Sequence, residues 1–396
     1  MTSLSALRVL DLSDGVAGAF CTKLLAGFGA EVIKIERPGA GDPLRRHGPF
    51  PDDLPHRERG ALFLYLNTAK KSITLDIAQR TGALIFRRLV EGVEVVVESF
   101  PPGYLAELGL GHESLAHIKP RLVMTSVTPF GQHGPYAGYK ATNLTAFAMG
   151  GQMAVTGEPD REPLKNGGYQ AEYQAGLHAF AATAVAALSA DSTEVGQHID
   201  IAAMECLATM LEPYVSSWAY LKRDIGQRRG NVVSGTVGLY PCRDGHLGIH
   251  CMPRNWPALA RALGREDLLA DERFRDHYHR LQHNDELESI VYAWATTQER
   301  KAAYQRAGGL RAPVSFVHTV QDLLEAPQLR ARGFFQQIGH PAAGRQTYPG
   351  APFRPEAMPW LAARAPLLGE HNEEIYCGEL ELSREELVIL RAGRVI

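Results

Sequence analysis

Two features near the start of the chain have residue types and spacing suited to holding an anion. Asp14-Gly15-Val16-Ala17-Gly18 follows a short apolar run and opens a helical pattern, so the backbone N–H groups of a small-residue loop meet the positive end of a helix. Arg37 closes the next apolar run and would add a fixed positive charge beside that loop. Such a pair suits the phosphates of a nucleotide. It is not a nicotinamide fingerprint. The glycines do not read G-x-G-x-x-G, and Glu36, the acid about 20 residues on, runs into Arg37-Pro-Gly-Ala-Gly41-Asp42. Taken alone, the loop and the arginine describe a plain turn and a surface charge equally well. The five cysteines (Cys21, Cys206, Cys242, Cys251, Cys377) form no CxxC pair and no zinc spacing, which leaves metal chemistry without support and suggests reduced thiols.

The elements that must position these residues alternate strand and helix. Residues 7–12 read as a buried strand, 16–28 as a helix and 29–36 as a second strand, which is a βαβ unit and hence a parallel sheet. The pattern returns with strands at 72–76, 93–98 and 122–127 and a helix over 79–90. Residues 171–188 and 199–220 have helical spacing. A polar, glycine-bearing stretch over 223–236 reads as a linker between a large α/β domain (1–222) and a smaller α+β domain (237–325). That smaller domain opens on a hairpin with Asp244-Gly245 as its turn. Residues 326–396 return to complete the large domain and end in a helix over 383–391. With 396 residues, 45% of them hydrophobic, the chain can bury two such cores. A net charge of −3 advertises neither a nucleic-acid nor a membrane surface. No apolar run approaches the roughly 20 residues that span a bilayer, and the start lacks the pattern of a secretory signal, so the expected location is the cytoplasm.

A series of motifs then runs along nearly the whole chain. It begins with Val32-Ile-Lys-Ile-Glu-Arg-Pro-Gly-Ala-Gly-Asp-Pro-Leu-Arg45, Asn67-Thr-Ala-Lys70-Lys71-Ser72-Ile-Thr-Leu-Asp76 and Glu98-Ser99-Phe100-Pro101-Pro102-Gly103. Ser126-Val127, Phe130-Gly-Gln-His-Gly-Pro-Tyr136, Thr156-Gly-Glu-Pro159 and Gly196-Gln-His-Ile-Asp200 follow. Ala312-Pro-Val314, Arg332-Gly-Phe-Phe335, Gly350-Ala-Pro-Phe353 and Arg364-Ala-Pro-Leu-Leu-Gly-Glu-His371 close the series. Each is weak alone; in this order they resemble the family III CoA-transferases, the CaiB/BaiF group.

The resemblance implies a fold of the α/β class: a Rossmann-like parallel-sheet large domain plus a small α+β domain, two chains interlocking into a homodimer. It implies coenzyme A or acyl-CoA as a substrate, a carboxylic acid as its partner and no tightly bound cofactor. Carried over by position, Val16 and Ala17 lie on the nucleotide loop and Arg37 is the phosphate-binding arginine. Lys70 and Lys71 flank the phosphates, and Ser99, Phe100 and Pro101 line the entry. A further basic residue usual after that turn is Glu107 here. Pro163-Leu-Lys-Asn-Gly167-Gly168-Tyr-Gln-Ala-Glu172-Tyr-Gln-Ala-Gly176-Leu177 resembles the catalytic segment, with Glu172 at the position of the family's aspartate. A carboxylate there would attack an acyl-CoA, pass through a mixed anhydride and carry CoA as an enzyme thioester. Gly167 and Gly168 are candidates for an oxyanion or acyl pocket. Glutamate is one methylene longer, so a second reading is a CoA-binding, non-catalytic subunit of a heteromer. A third, an acyl-CoA racemase, wants a histidine in the segment written Gly138-Tyr-Lys-Ala-Thr-Asn143-Leu144, which has none. The compact 223–237 stretch disfavours an oxalate/formate pair, and Arg228, Arg229 and His250 are candidate contacts for a substrate carboxylate.

Overall fold

The computed structural model describes residues 4–223, 226 and 228–396; Asp224, Ile225 and Gln227 of the expected linker lie outside it. The chain packs as two compact units. One comprises Met1–Gln152, Lys165–Ser216 and Ala331–Ile396, the other Met153–Leu164 and Ser217–Arg330. Against the sequence expectation, the segment Met153–Leu164 belongs with the smaller unit.

The larger unit is built on β1 (Arg8–Asp11), α1 (Val16–Gly27), β2 (Glu31–Glu36), α2 (Ala61–Leu66), β3 (Lys71–Thr74), α3 (Arg80–Glu91) and β4 (Val95–Glu98). Two short helices, α4 (Tyr104–Glu107) and α5 (His112–Ala116), lead to β5 (Val123–Thr128). Then come α6 (Asn143–Met149), α7 (Gln170–Thr193), β6 (Gln197–Ala202), α8 (Ala203–Thr209) and α9 (Glu212–Leu221). The six strands are all parallel in the order β3-β2-β1-β4-β5-β6.

The central strands of this sheet are covered on both faces, so β4 reads as a continuous apolar run rather than an alternating one. Leu10, Ile33, Ile73 and Val96 face a core shared with α3 and the C-terminal residues Ile375 and Tyr376. Val9, Val32, Val95 and Val97 face Cys21 and Leu25 of α1 and Ala175 and Ala179 of α7. The expectation of helix over 199–220 is corrected at its start. Ile199–Ala202 pairs with β5 as the sixth strand, because an open sheet edge supplies ladder partners that outweigh local spacing.

In the smaller unit, β7 (Val232–Ser234), β8 (Val237–Cys242) and β9 (Gly245–His250) form an antiparallel sheet. Its core is shared with α10 (Trp256–Ala262), α12 (Asn284–Thr296) and α13 (Arg300–Gly309), α11 (His277–Gln282) lies against α12, and β10 (Val314–Phe316) closes the sheet. The hairpin is present, but Arg243 and Asp244 make its turn and Gly245 opens β9. Part of the expected linker is therefore strand β7. Beyond α14 (Val320–Glu325) and α15 (Pro327–Ala331), the return segment carries an antiparallel hairpin that sequence reading missed. It pairs β11 (Phe335–His340) with β12 (Gly344–Pro349), and α16 (Arg384–Ala392), capped by Ser383, follows. Among the described residues no helix is long and apolar enough to cross a membrane.

Candidate active site

The strand order turns outward in both directions from β1 and β4, and ligands of such sheets bind beyond the carboxyl ends of the strands at that point. Here those ends are the loop after Asp11 and the turn after Glu98. The Ser99 hydroxyl ties them together, accepting from Asp14 N–H and donating to Asp14 O, both at 2.9 Å. Beneath the loop lies a closed ionic network. Asp11 accepts from Ser13 through one oxygen and from Thr22 and Lys70 through the other, while Lys34 donates to Ser13 O and pairs with Asp42. Burial alone would raise the Asp11 pKa, but Lys34 and Lys70 hold it well below the usual carboxylate range.

Arg37 leaves the end of β2 with its side chain mostly in solvent and pairs with Asp14 at 3.3 Å. A cleft beside it gathers Leu12, Ile35, Leu75, Asp76, Ile77, Phe100 and Tyr104 around Asp14 and Arg37. Phe100 packs on Tyr104 at 5.0 Å between ring centres, and its N–H donates to Glu98 at 2.6 Å. Pro101 caps the next turn, its carbonyl accepting from Tyr104 N–H. Leu75, Asp76, Ile77 and Tyr104 were not singled out from sequence. The rule that parallel strands end at the site would have pointed to the three that follow β3.

Two expectations are corrected. Lys70 does not flank a phosphate; its ammonium is wholly buried, donating to Asp11, Ala19 O, Thr22 and Asn67. It holds up the loop from inside. Lys71 opens β3, at the opposite end of a parallel sheet from Arg37, and pairs there with Glu31 and Glu374. Glu107 is exposed on α4. In the smaller unit, Arg228 spends its guanidinium on the carbonyls of Glu158, Pro159 and Arg161, so it is not a free carboxylate contact. His250 is exposed on β9 beside Val237.

Glu172 lies in the first turn of α7, and its carboxylate accepts from the N–H of Val16, the first residue of α1, at 3.2 Å. The α1 N-terminus has no side-chain cap of its own, because Gly15 precedes it at φ +83°. A glutamate from another helix fills that role, and its charge sits at the positive ends of two helices. The two helices must cross closely for this. A Cβ on Gly176 would stand 2.5 Å from Ala17 O and 3.1 Å from Phe20 Cβ, so only glycine fits. One turn nearer, Phe20 meets Tyr173 edge to face at 4.9 Å. Burial raises the Glu172 pKa and the Val16 N–H pulls it partly back. A half-buried carboxylate above its ordinary pKa, at two helix N-termini, can act as a nucleophile with little solvent to shed. Gly167 and Gly168 stand exposed just before this turn.

Residues 4–372 match the sequence family described as CoA-transferase family III. A succinyl-CoA–D-citramalate CoA-transferase of Chloroflexus aurantiacus is 34% identical, the match covering 99% of this chain and 98% of that one. A subunit of the succinyl-CoA:(R)-benzylsuccinate CoA-transferase of Thauera aromatica is 35% identical over the same shares. Among solved structures, a CaiB/BaiF family protein from Brucella suis superposes with a TM-score of 0.84 at 30% identity, covering 95% of this chain and 99% of that one.

Proposed function

Because the chain belongs to CoA-transferase family III, we propose that it moves CoA between an acyl-CoA and a free carboxylic acid with Glu172 as the nucleophile. The observation that carries this is the Glu172 carboxylate held at the α1 N-terminus, on the loop that reaches the Arg37 cleft. Arg37, freed from Asp14, would take a phosphate of CoA, and Phe100 and Tyr104 would take the adenine. Ser99 would hold the loop between them.

Glu172 attacks the acyl-CoA carbonyl and the tetrahedral adduct expels CoA thiolate, leaving a mixed anhydride of Glu172 and the acyl group. The thiolate then attacks the glutamyl carbonyl; the first acid leaves as its carboxylate and CoA remains as a thioester on Glu172. The incoming carboxylate attacks this thioester, restoring an anhydride and a thiolate. Attack of that thiolate on the substrate carbonyl of the anhydride forms the new acyl-CoA and returns Glu172 as carboxylate. No net proton moves, so the site needs a nucleophile and oxyanion donors but no general base. Backbone N–H groups at Val16 and around Gly167 and Gly168 are the donors in this reading.

The relatives from Chloroflexus and Thauera are named for succinyl-CoA and a dicarboxylic acid, which supports that pair as first donor and acceptor class. The test is to incubate the protein with succinyl-CoA, trap with hydroxylamine or borohydride, and map the modified peptide. Label at Glu172, absent in Glu172→Ala, is expected. Label elsewhere, or exchange undiminished in Glu172→Ala, would reject it. One of these relatives is named as a subunit, which supports a second reading in which this chain pairs with a different one. In the first reading it forms an interlocked homodimer. Light scattering on the purified chain, with and without restored activity on adding a partner, separates the two. Five unpaired cysteines suit a reducing compartment, the cytoplasm.

A further inference from the structure

We propose that Asn143 is a positioning residue for Glu172, acting through the backbone that leads into α7; the inference rests on reading Glu172 as the nucleophile. Asn143 is the first residue of α6, yet its side chain is not needed by that helix. Thr142 caps α6 by itself: its hydroxyl accepts from Thr145 N–H, and the Thr145 hydroxyl accepts from Thr142 N–H. An asparagine at such a place commonly bonds its own neighbouring backbone. This one reaches 25 and 28 residues along the chain instead. Nδ2 donates to Gly168 O at 3.1 Å, and Oδ1 accepts from Ala171 N–H at 2.9 Å.

Those two partners bracket the turn into α7. The N-cap residue Tyr169 provides no side-chain hydrogen bond, so the N–H groups of the first turn have no cap from their own segment. Asn143 provides one from a neighbouring helix. Its other end holds the carbonyl of Gly168, where the chain turns through φ +71°, a conformation glycine adopts without strain. Glu172 follows Ala171 directly. Its carboxylate is therefore placed from two sides, by Val16 N–H in front and by Asn143 through the α7 backbone behind.

The amide is required as an amide. Aspartate at 143 would still accept from Ala171 N–H, but it could not donate to Gly168 O. It would also add a negative charge close to a carboxylate that burial already disfavours, pushing the Glu172 pKa up further.

The test compares wild type, Asn143→Ala and Asn143→Asp by steady-state kinetics across pH and by hydrogen–deuterium exchange of the peptide spanning 166–173. Asn143→Ala is expected to lower kcat about 10- to 100-fold, the scale of a misplaced reacting group, with the KM for acyl-CoA held within about twofold. Asn143→Asp is expected to move the acidic limb of the rate profile to higher pH. Exchange at Ala171 should rise in Asn143→Ala and stay near the wild-type rate in Asn143→Asp, which keeps the acceptor. A wild-type kcat in Asn143→Ala, a loss confined to KM, or unchanged exchange would each overturn the inference. Should Asn143→Ala fail to fold, Asn143→Asp decides on its kcat and its pH limb, and wild-type values of both overturn the inference. Should the wild type never carry label at Glu172, the functional reading falls, and the exchange data alone judge whether Asn143 holds the turn.

Discussion

Glu172 is pulled in opposite directions by its surroundings. Half-burial favours the neutral acid, while the Val16 N–H and the two helix N-termini favour the carboxylate; the balance is a raised pKa. In the proposed mechanism the ionised form attacks, so its fraction falls as pH drops through that raised value. Activity should therefore show an acidic limb above the ordinary glutamate range near 4.3, measurable as kcat/KM against pH. The sign for stability is opposite. A carboxyl whose folded pKa exceeds its unfolded one destabilises the fold above the folded pKa, and the effect vanishes below the unfolded pKa. Glu172→Gln should thus abolish exchange while raising the urea midpoint at neutral pH. Glu172→Asp restores the residue type of the family but draws the carboxylate back from Val16 by about one methylene, and should cost on the order of 10²-fold in kcat. An aspartate variant faster than wild type would show that this site is not built around the longer side chain.

The α1–α7 crossing is the element that turns a glutamate on one helix into a cap for another. Its closeness depends on Gly176, where a Cβ would press on Ala17 O at 2.5 Å, a backbone atom that cannot step aside. Gly176→Ala should force the helices apart. Overpacking of this kind costs about 1–3 kcal/mol, readable as a lower denaturation midpoint, and labelling of Glu172 should slow in parallel. Full activity with an unchanged midpoint would mean that the crossing tolerates the methyl and does not set the Val16–Glu172 distance. The same crossing explains why so alanine-rich a helix is buried at Ala171, Ala175 and Ala179: small side chains let the backbones approach.

Among the described residues of the larger unit, Lys23 is a buried cation with no carboxylate paired to it. Lys23 is only 3% exposed, and its ammonium donates to Thr68 at 2.6 Å and lies 4.4 Å above the Tyr65 ring and 5.6 Å from the Trp360 ring. Burial, with Lys70 nearby, pushes its pKa down to about 7. A base whose folded pKa lies below its unfolded one binds fewer protons folded than unfolded between the two values, so this group makes stability rise from about pH 7 toward pH 10. Urea midpoints over that range should climb in the wild type and less steeply in Lys23→Met, where the buried Lys70 still contributes; equal slopes would reject the assignment. The parallel α/β class, the membership of a CoA-handling family and the candidacy of Glu172 and Arg37 were legible in the order of residues, because apolar runs and motif spacings are local properties of the chain. Local properties could not tell Lys70, sealed under the loop, from Lys71, at the far end of the sheet, or either of them from Arg37, at the rim of the cleft. Nor could they show that Glu172 caps the Val16 N–H, that Asn143 reaches α7, or that Leu75, Asp76 and Ile77 join Phe100 and Tyr104 around one cleft. Those facts depend on which strand ends lie side by side and how closely two helices cross, and only the packed sheet, with its order β3-β2-β1-β4, decides them.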